Sequence, residues 1–219
     1  MKARLIIFLT ILVGIATAAR NPETADNSNG TEGSRNMTAS APAAKDVTIN
    51  GVVWAGCNVA EPGKLAANPT DYGCLYQWNC IKAWPSDDSK PDNWPAPIET
   101  GDRWEGNNDP CPEGYRVPTD EDMDKLFETN VVNEWTTSDG VTGRMFTDKT
   151  TNVSIFFPAA GARGHKSGVL TYASLCGYYW TATSYPGDTE AGNMVLTERY
   201  AMMNNFIRSL GCSIRCVRK

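Results

Sequence analysis

Apolar and polar positions change period most sharply between Asp109 and Phe127, DPCPEGYRVPTDEDMDKLF. Asp109-Pro110 and Pro112-Glu113-Gly114 are turn-forming pairs on either side of Cys111. Tyr115-Arg116-Val117 is a short extended run, because Pro118 biases Val117 away from the helical region. Thr119 is then a good N-cap, with Asp122 in the reciprocal capping-box position. Asp120, Glu121 and Asp122 crowd a first turn whose dipole favours negative charge. Met123, Leu126 and Phe127 recur at i, i+3 and i+4, an apolar stripe with helical period. The stretch predicts a cysteine-anchored turn, a strand and an amphipathic helix, in that order.

Elsewhere the period is two. Val47-Thr-Ile-Asn-Gly-Val-Val-Trp54 predicts strand, Asn-Gly turn, strand. Leu75-Tyr-Gln-Trp78 is an aromatic run leading into a short helix. Residues 84–108 hold four prolines and three tryptophans and form a long irregular loop, of a length that usually carries function. Asp139-Gly140 marks a turn, Val153–Phe157 a strand, and Pro158–Gly164 a glycine-punctuated loop. Tyr178–Tyr185 has strong strand propensity, and Asn193–Glu198 alternates weakly. In the final strand Cys212, Ile214 and Cys216 share one face, with Ser213 and Arg215 on the other. No repeat occurs at solenoid spacing.

The N-terminal fifth adds compartment. Lys2 and Arg4, the apolar run Leu5–Ile15 and Ala16-Thr-Ala18 read as a secretory signal peptide over residues 1–19. The apolar run falls short of the roughly 20 residues of a membrane span, so no membrane insertion is expected after cleavage. With no cysteine before Cys57, lipid attachment is not expected. Residues 20–45 are rich in Asn, Thr, Ser, Ala, Gly and Pro without an apolar face, and predict a flexible linker. Its Asn29-Gly-Thr and Asn36-Met-Thr are glycosylation sequons only in a host with that machinery. Residues 46–219 then form the folded domain.

A chain of 219 residues with 41% hydrophobic content supports one good core or two small ones. The net charge of −5, falling to −7 without Lys2 and Arg4, argues against nucleic acid, which needs a clustered basic patch. Seven cysteines in an exported chain imply disulfides and at least one thiol left over.

Six pieces in order carry a family resemblance: Gly51-Val-Val-Trp-Ala55, Tyr72-Gly-Cys-Leu-Tyr-Gln-Trp78, Pro110-Cys-Pro-Glu-Gly-Tyr-Arg-Val-Pro-Thr119, Phe157-Pro-Ala-Ala-Gly161, Tyr179-Trp-Thr-Ala-Thr183 and Gly211-Cys-Ser-Ile-Arg-Cys-Val217. Over residues 47–219 the chain resembles the Fibrobacter succinogenes major paralogous (FISUMP) domain. The resemblance implies a C-type-lectin-like α+β fold: small mixed or antiparallel sheets, one or two helices, long irregular loops and disulfide stabilisation. It implies exported proteins of Bacteroidetes and relatives, hence a secreted or cell-surface location in a Gram-negative bacterium. It also implies a disulfide between Cys111 and Cys216, and leaves Cys57, Cys74, Cys80, Cys176 and Cys212 without assigned partners. The ending Gly-Cys-Ser-Ile-Arg-Cys-Val resembles, in addition, the variable segment of proteins diversified by retroelements, where residues 193–209 would face the ligand.

Catalytic chemistry finds little support. His165 sits among glycines, as a surface-loop residue does, and no cysteine lies in a nucleophile motif. A formylglycine-generating-like oxidase shares the lectin-like scaffold but none of its other signatures is present. Asp87-Asp88 and Asp92-Asn93 offer hard oxygens for calcium, yet read more simply as a solvated acidic loop; the sugar–calcium motifs of lectins are absent. No metal and no cofactor is expected. Trp54, Trp78 and Trp180 are expected in the core.

Recognition chemistry is better represented. Asn193, Thr197, Arg199, Tyr200, Met202, Asn204, Asn205, Phe206 and Arg208 make a mixed aromatic, Met, Asn and Arg stretch, with Tyr178, Trp180 and Tyr185 as a neighbouring platform. The expectation is a non-enzymatic module binding a protein or glycan through this C-terminal face. A structural tip or accessory subunit of a surface filament or envelope complex is the alternative.

Overall fold

The computed structural model describes residues 45–94, 101–187 and 189–219. The signal peptide, all but Lys45 of the linker and six residues of the 84–108 loop lie outside the described residues. Fourteen strands and one α-helix follow in chain order. They are β1 (Val47–Ile49), β2 (Val52–Trp54), β3 (Cys74–Leu75), β4 (Trp84–Pro85), β5 (Tyr115–Arg116), α1 (Asp120–Asp124), β6 (Val131–Ser138), β7 (Val141–Asp148), β8 (Val153–Pro158), β9 (Ala162–Arg163), β10 (Leu170–Thr171), β11 (Cys176–Ser184), β12 (Glu190–Thr197), β13 (Ala201–Ile207) and β14 (Val217–Arg218). They form five small sheets, β1-β2-β14-β5, β3-β4, β6-β7-β8, β9-β10 and β11-β12-β13, with every named strand pair antiparallel.

This architecture corrects the α+β, C-type-lectin-like expectation. The described residues are mainly β, and the one α-helix among them is five residues long. The helix starts as the sequence predicts: Thr119 accepts from the Asp122 backbone N–H, Asp122 caps Thr119 in return, and Arg116 clamps the Asp122 carboxylate at 2.6 Å. It ends early because its apolar stripe is complete within two turns. Leu126 already lies in a 3-10 turn, Lys125–Phe127, and Glu128 is extended before the β-branched pair Val131-Val132 opens β6. No helix follows the Leu75–Trp78 run either. Tyr76 pairs with Cys212 as an isolated bridge, and Asn79 turns the chain at φ 56°.

The local turn signals hold. Asn50 and Gly51, at φ 48° and 81°, join β1 to β2, and Asp139-Gly140 joins β6 to β7. Gly192 serves another purpose. A Cβ there would sit 2.1 Å from Asp120 Oδ1 and 2.3 Å from Thr181 Oγ1, so its absence lets α1 lay a carboxylate on β12. Asp120 accepts there from Thr181 Oγ1 at 2.7 Å and from the Tyr185 hydroxyl at 2.8 Å.

The β11-β12-β13 sheet lies between two cores, and alternation decides which residue enters which. Tyr179, Met194 and Leu196 join Trp54, Met123, Phe146 and Phe157 on one side. Trp180 and Ala191 join Tyr76, Trp78, Trp104 and Ile214 on the other. Trp54, Trp78 and Trp180 are all fully buried, as expected.

The C-terminal segment ties these parts together. Its backbone pairs with Ala55, Val59, Tyr76, Arg163 and Trp180 at 2.8–3.0 Å before Val217 enters the β1-β2-β14-β5 sheet between Trp54 and Arg116. Cys212, Ile214 and Cys216 do share one core, but the segment is no half-exposed strand: Ser213 and Arg215 are also fully buried. The implied disulfide is present. Cys111 and Cys216 are bonded, 5.9 Å apart at Cα and 105 residues apart in sequence.

Two predictions follow from these ties. Replacing Cys111 and Cys216 by serine is expected to cost about 4–5 kcal/mol, the loop-closure value for a ring of this size, read from urea unfolding. The second concerns acid. Burial pushes Asp122 up, but Arg116 and Thr119 outweigh it and hold the carboxyl below its ordinary 3.8. A depressed carboxyl stabilises the fold above its unfolded value and loses that contribution as pH falls through its folded value. Asp122→Asn should therefore cost about 2 kcal/mol at pH 7. Its stability should converge with wild type as the pH drops below the ordinary carboxylate range, measured by unfolding at graded pH.

Candidate ligand-binding face

The residues from 193 to 208 form most of an antiparallel hairpin, β12–β13, with β13 paired on one side only. Alternation sorts them. Asn193, Val195, Met202, Asn204 and Phe206 share a face with Tyr178 and Trp180, by the registers Tyr178↔Val195↔Met202, Trp180↔Asn193↔Asn204 and Ala191↔Phe206. Ala201, Met203 and Asn205 face the other way. Ala201 and Met203 pack on the first core, and Asn205 donates its amide to the Glu190 carboxylate.

The expected site residues therefore separate into three groups. Arg199 and Tyr200 are exposed at the hairpin turn, with Tyr200 at 39%. Met202, Asn204 and Phe206 are half-buried along one face of the edge strand, and Thr197 is half-buried beside the turn. Asn193 and Arg208 have no solvent exposure, so neither touches a ligand in this conformation. Arg208 lies over Trp78, its Cζ 4.1 Å from the ring centroid, and donates to the Glu190 carbonyl at 3.2 Å; its part is support. Within the expected platform Trp180 is core, Tyr185 is engaged with Asp120, and Tyr178 remains half-exposed.

Two supporting features escaped the sequence. Arg144, on β7, reaches under the hairpin turn. It donates to the Thr197 carbonyl at 2.8 Å, to the Glu198 carbonyl at 3.2 Å and to Asn133 Oδ1, while burial pushes its pKa down. Thr197 also exchanges hydrogen bonds with Tyr200, which closes the turn that carries Arg199. The second feature is an aromatic pair, Tyr178 edge-on to Phe206 with centroids 5.7 Å apart, worth about 0.5–1.5 kcal/mol.

Asn193 stands out chemically. Neither its Nδ2 nor its Oδ1 meets a nitrogen or oxygen partner, and among the described residues it is the one side chain with two such atoms. The Cys212 thiol lies against it, buried and pushed well above its ordinary pKa, a weak partner at best. A buried amide left this way costs about 1–3 kcal/mol. The other buried polar groups are better served. Arg215 donates to Asn58 Oδ1 and to the carbonyls of Ala55, Gly56 and Phe156 at 2.8–3.3 Å. Arg163 does the same for Pro85, Asp87, Ser89 and Gly168 at 2.7–3.1 Å.

The residues weighed for catalysis or metal binding lie apart from this face in their bonding. His165 is a half-exposed loop residue whose carbonyl accepts from Trp94. Asp87 is exposed and bonded to Ser89 and, at 3.4 Å, to Arg163. Among the described residues no three His, Cys, Asp or Glu side chains converge to hold a metal ion.

A mainly-β, disulfide-tied domain with an open edge strand is thus the class that fold and face define. By residues 20–218 the chain matches the model of the Fibrobacter succinogenes major domain, and it belongs to that family. The match takes in the stretch read as a linker as well as the folded domain. No curated protein and no solved structure matches it. The disulfide fits an oxidising, extracellular setting, and no helix among the described residues is long and apolar enough to cross a membrane.

Arg144→Leu is expected to free the turn. Amide exchange at Thr197–Tyr200 should accelerate at least tenfold, while Met194–Leu196 stays protected and the global stability falls by about 2 kcal/mol.

Proposed function

We propose that this domain is an exported binding module that meets a protein or glycan through the β13 face. The observation that carries this reading is the placement of Tyr200, Met202, Asn204 and Phe206. Met202, Asn204 and Phe206 follow one another at every second position on the edge strand, with Tyr200 at the turn before it; all four are part-exposed, and Phe206 also packs on the second core. Rigid support lowers the ordering cost of binding, and aromatic, Met and Arg side chains are those enriched in interface cores. The mechanism is non-covalent, with Arg199 and Tyr200 at the rim. The leader-like N-terminus and the disulfide both support export to the cell surface or medium. Were this segment diversified, positions 199, 200, 202 and 204 would vary with the least disturbance of the core, since Phe206 packs on the second core.

One observation favours a second reading. The unpaired edge of β13, seven residues long, is a template for strand addition, as an accessory subunit of a filament or envelope complex would use. Co-purification with envelope proteins supports that reading; a free monomer supports the first.

The test is a glycan and surface-protein screen. It compares the intact chain with an Arg199→Ala, Tyr200→Ala, Asn204→Ala variant, and with Val132→Ser, a change at an exposed site on β6. The triple variant should lose at least tenfold in affinity for captured partners and V132S none. Equal binding by all three proteins would remove this face from consideration.

A further inference from the structure

From the open edge of β13 we infer that this chain pairs with a second copy of itself. The two β13 strands run antiparallel about a two-fold axis at Asn204, and join two three-stranded sheets into one. This goes beyond the ligand reading and does not rest on it.

Two hydrogen bonds just beyond the strand ends fix which backbone groups face the open edge. The Arg208 N–H donates to the Thr189 carbonyl at 2.9 Å, and the Thr197 N–H to the Tyr200 carbonyl at 2.8 Å. Both continue the β12–β13 register, in which bonded and non-bonded pairs alternate. Met202, Asn204 and Phe206 therefore direct their backbone groups at β12, while Ala201, Met203, Asn205 and Ile207 turn theirs to the open edge. The Asn205 N–H agrees: it donates to Asn204 Oδ1 at 2.9 Å rather than to a strand. The Ile207 carbonyl accepts from the Leu210 N–H at 2.9 Å. Among the described residues nothing bonds the edge-facing groups of Ala201 and Met203, the Asn205 carbonyl or the Ile207 N–H.

Proteins blunt long strand edges with charge, proline or cover. The other long edges among the described residues follow that rule. β6 carries the exposed Glu134. β8 gives the Phe156 carbonyl to Arg215 and the Pro158 carbonyl to the Tyr179 hydroxyl. β11 is bridged at Gly177 by Gly161 and at Tyr179 by Ser213. The edges of the remaining sheets are strands of two or three residues. β13, Ala-Met-Met-Asn-Asn-Phe-Ile, has neither charge nor proline over seven residues. Its sequence is also complementary to itself. The antiparallel register centred on Asn204 is the one that overlaps every residue of the strand. It sets the edge-facing groups of Ala201 against the partner's Ile207 and those of Met203 against the partner's Asn205. Met202 then meets the partner's Phe206 on each side of the axis, a thioether–aromatic contact. The two Asn204 amides meet at the axis, where each has a donor for the other's oxygen. Asn204 gives up the Asn205 N–H, which takes the partner's Met203 carbonyl instead. No like charges oppose, since Arg199 lies across from the partner's Ser209. Met202, Asn204 and Phe206 of both copies become one continuous face.

The test is sedimentation equilibrium of the full chain from micromolar to millimolar concentration, which is expected to show a monomer–dimer equilibrium. Asn204→Lys sets two ammonium groups against each other at a non-bonded pair, where Cα atoms approach to about 4.5 Å. It should weaken association at least tenfold with little change in melting temperature. Val132→Lys, the same charge on the β6 edge, should associate like wild type. Cysteines read the register. Under a glutathione redox buffer Asn204→Cys should cross-link to itself, and Met202→Cys only when mixed with Phe206→Cys, with the bonds assigned by peptide mapping. If Asn204→Lys does not fold, these cross-links decide. A monomer at every concentration overturns the inference. So does a dimer that Asn204→Lys leaves intact, one that Val132→Lys dissociates, or cross-links in another register. The ligand reading fails separately: a monomeric wild type that still captures partners through Arg199, Tyr200 and Asn204 removes the dimer alone.

Discussion

The fold depends on burying a charged residue at the end of the chain. Arg215 is completely enclosed, and among the described residues no carboxylate pairs with it. Carbonyls from the 55–56 segment and from β8, with Asn58 Oδ1, take up its donors, and Phe157 lies 5.0 Å beneath its guanidinium. The Ala55 and Gly56 carbonyls belong to a loop outside the strands, and buried backbone acceptors need partners. One side chain supplies several. Asn58 in turn bonds the Tyr72 carbonyl and the Tyr179 hydroxyl, whose pKa burial raises to about 12. A guanidinium keeps its charge under such burial where an ammonium would shed it, so lysine is no substitute here.

From that anchor the rest can be small. None of the five sheets exceeds four strands, and few of their strands would persist alone. The terminal segment pairs with Trp54, Tyr76, Arg163 and Trp180 in turn, Arg215 reaches β8 through the Phe156 carbonyl, and the Cys111–Cys216 bond fixes the segment's end beside the turn before α1. The β11-β12-β13 sheet gains most. With a core on each side, its inner strands are immobilised, and the one strand left with a free edge presents the candidate face. Arg144 then fixes the turn at the end of that strand from below. Burial and display are two consequences of one arrangement.

How much of this was legible depends on range. Signals carried by neighbours in sequence were read correctly: the Asn50-Gly51 and Asp139-Gly140 turns, and the Thr119–Asp122 box. The start of the helix was local and its end was not, since a five-residue helix and a long one open alike. The weak alternation around Asn193 held more than was taken from it. Met194-Val195-Leu196 is a continuous apolar run, the pattern of a strand buried on both faces, and it pointed to an interior Asn193. Nothing local marks Arg208 as buried, because its platform is Trp78, placed against it by the hydrogen bond from the Trp78 N–H to the Arg208 carbonyl. Nor does spacing show that Tyr178 meets Phe206, a contact that exists only once three strands are in register.

The contrast between Arg215 and Asn193 separates the two kinds of buried polar group in this protein. Arg215, Arg163 and Asn58 are costly groups made affordable by full complements of partners, and each binds loops that would otherwise drift. Asn193 has only the Cys212 thiol for a partner, on a strand otherwise apolar on both sides. Arg215 and Arg163 are held by carbonyls, whereas Asn193, like Trp54, Gln77, Trp84 and Ser213, keeps buried polar atoms that no nitrogen or oxygen meets.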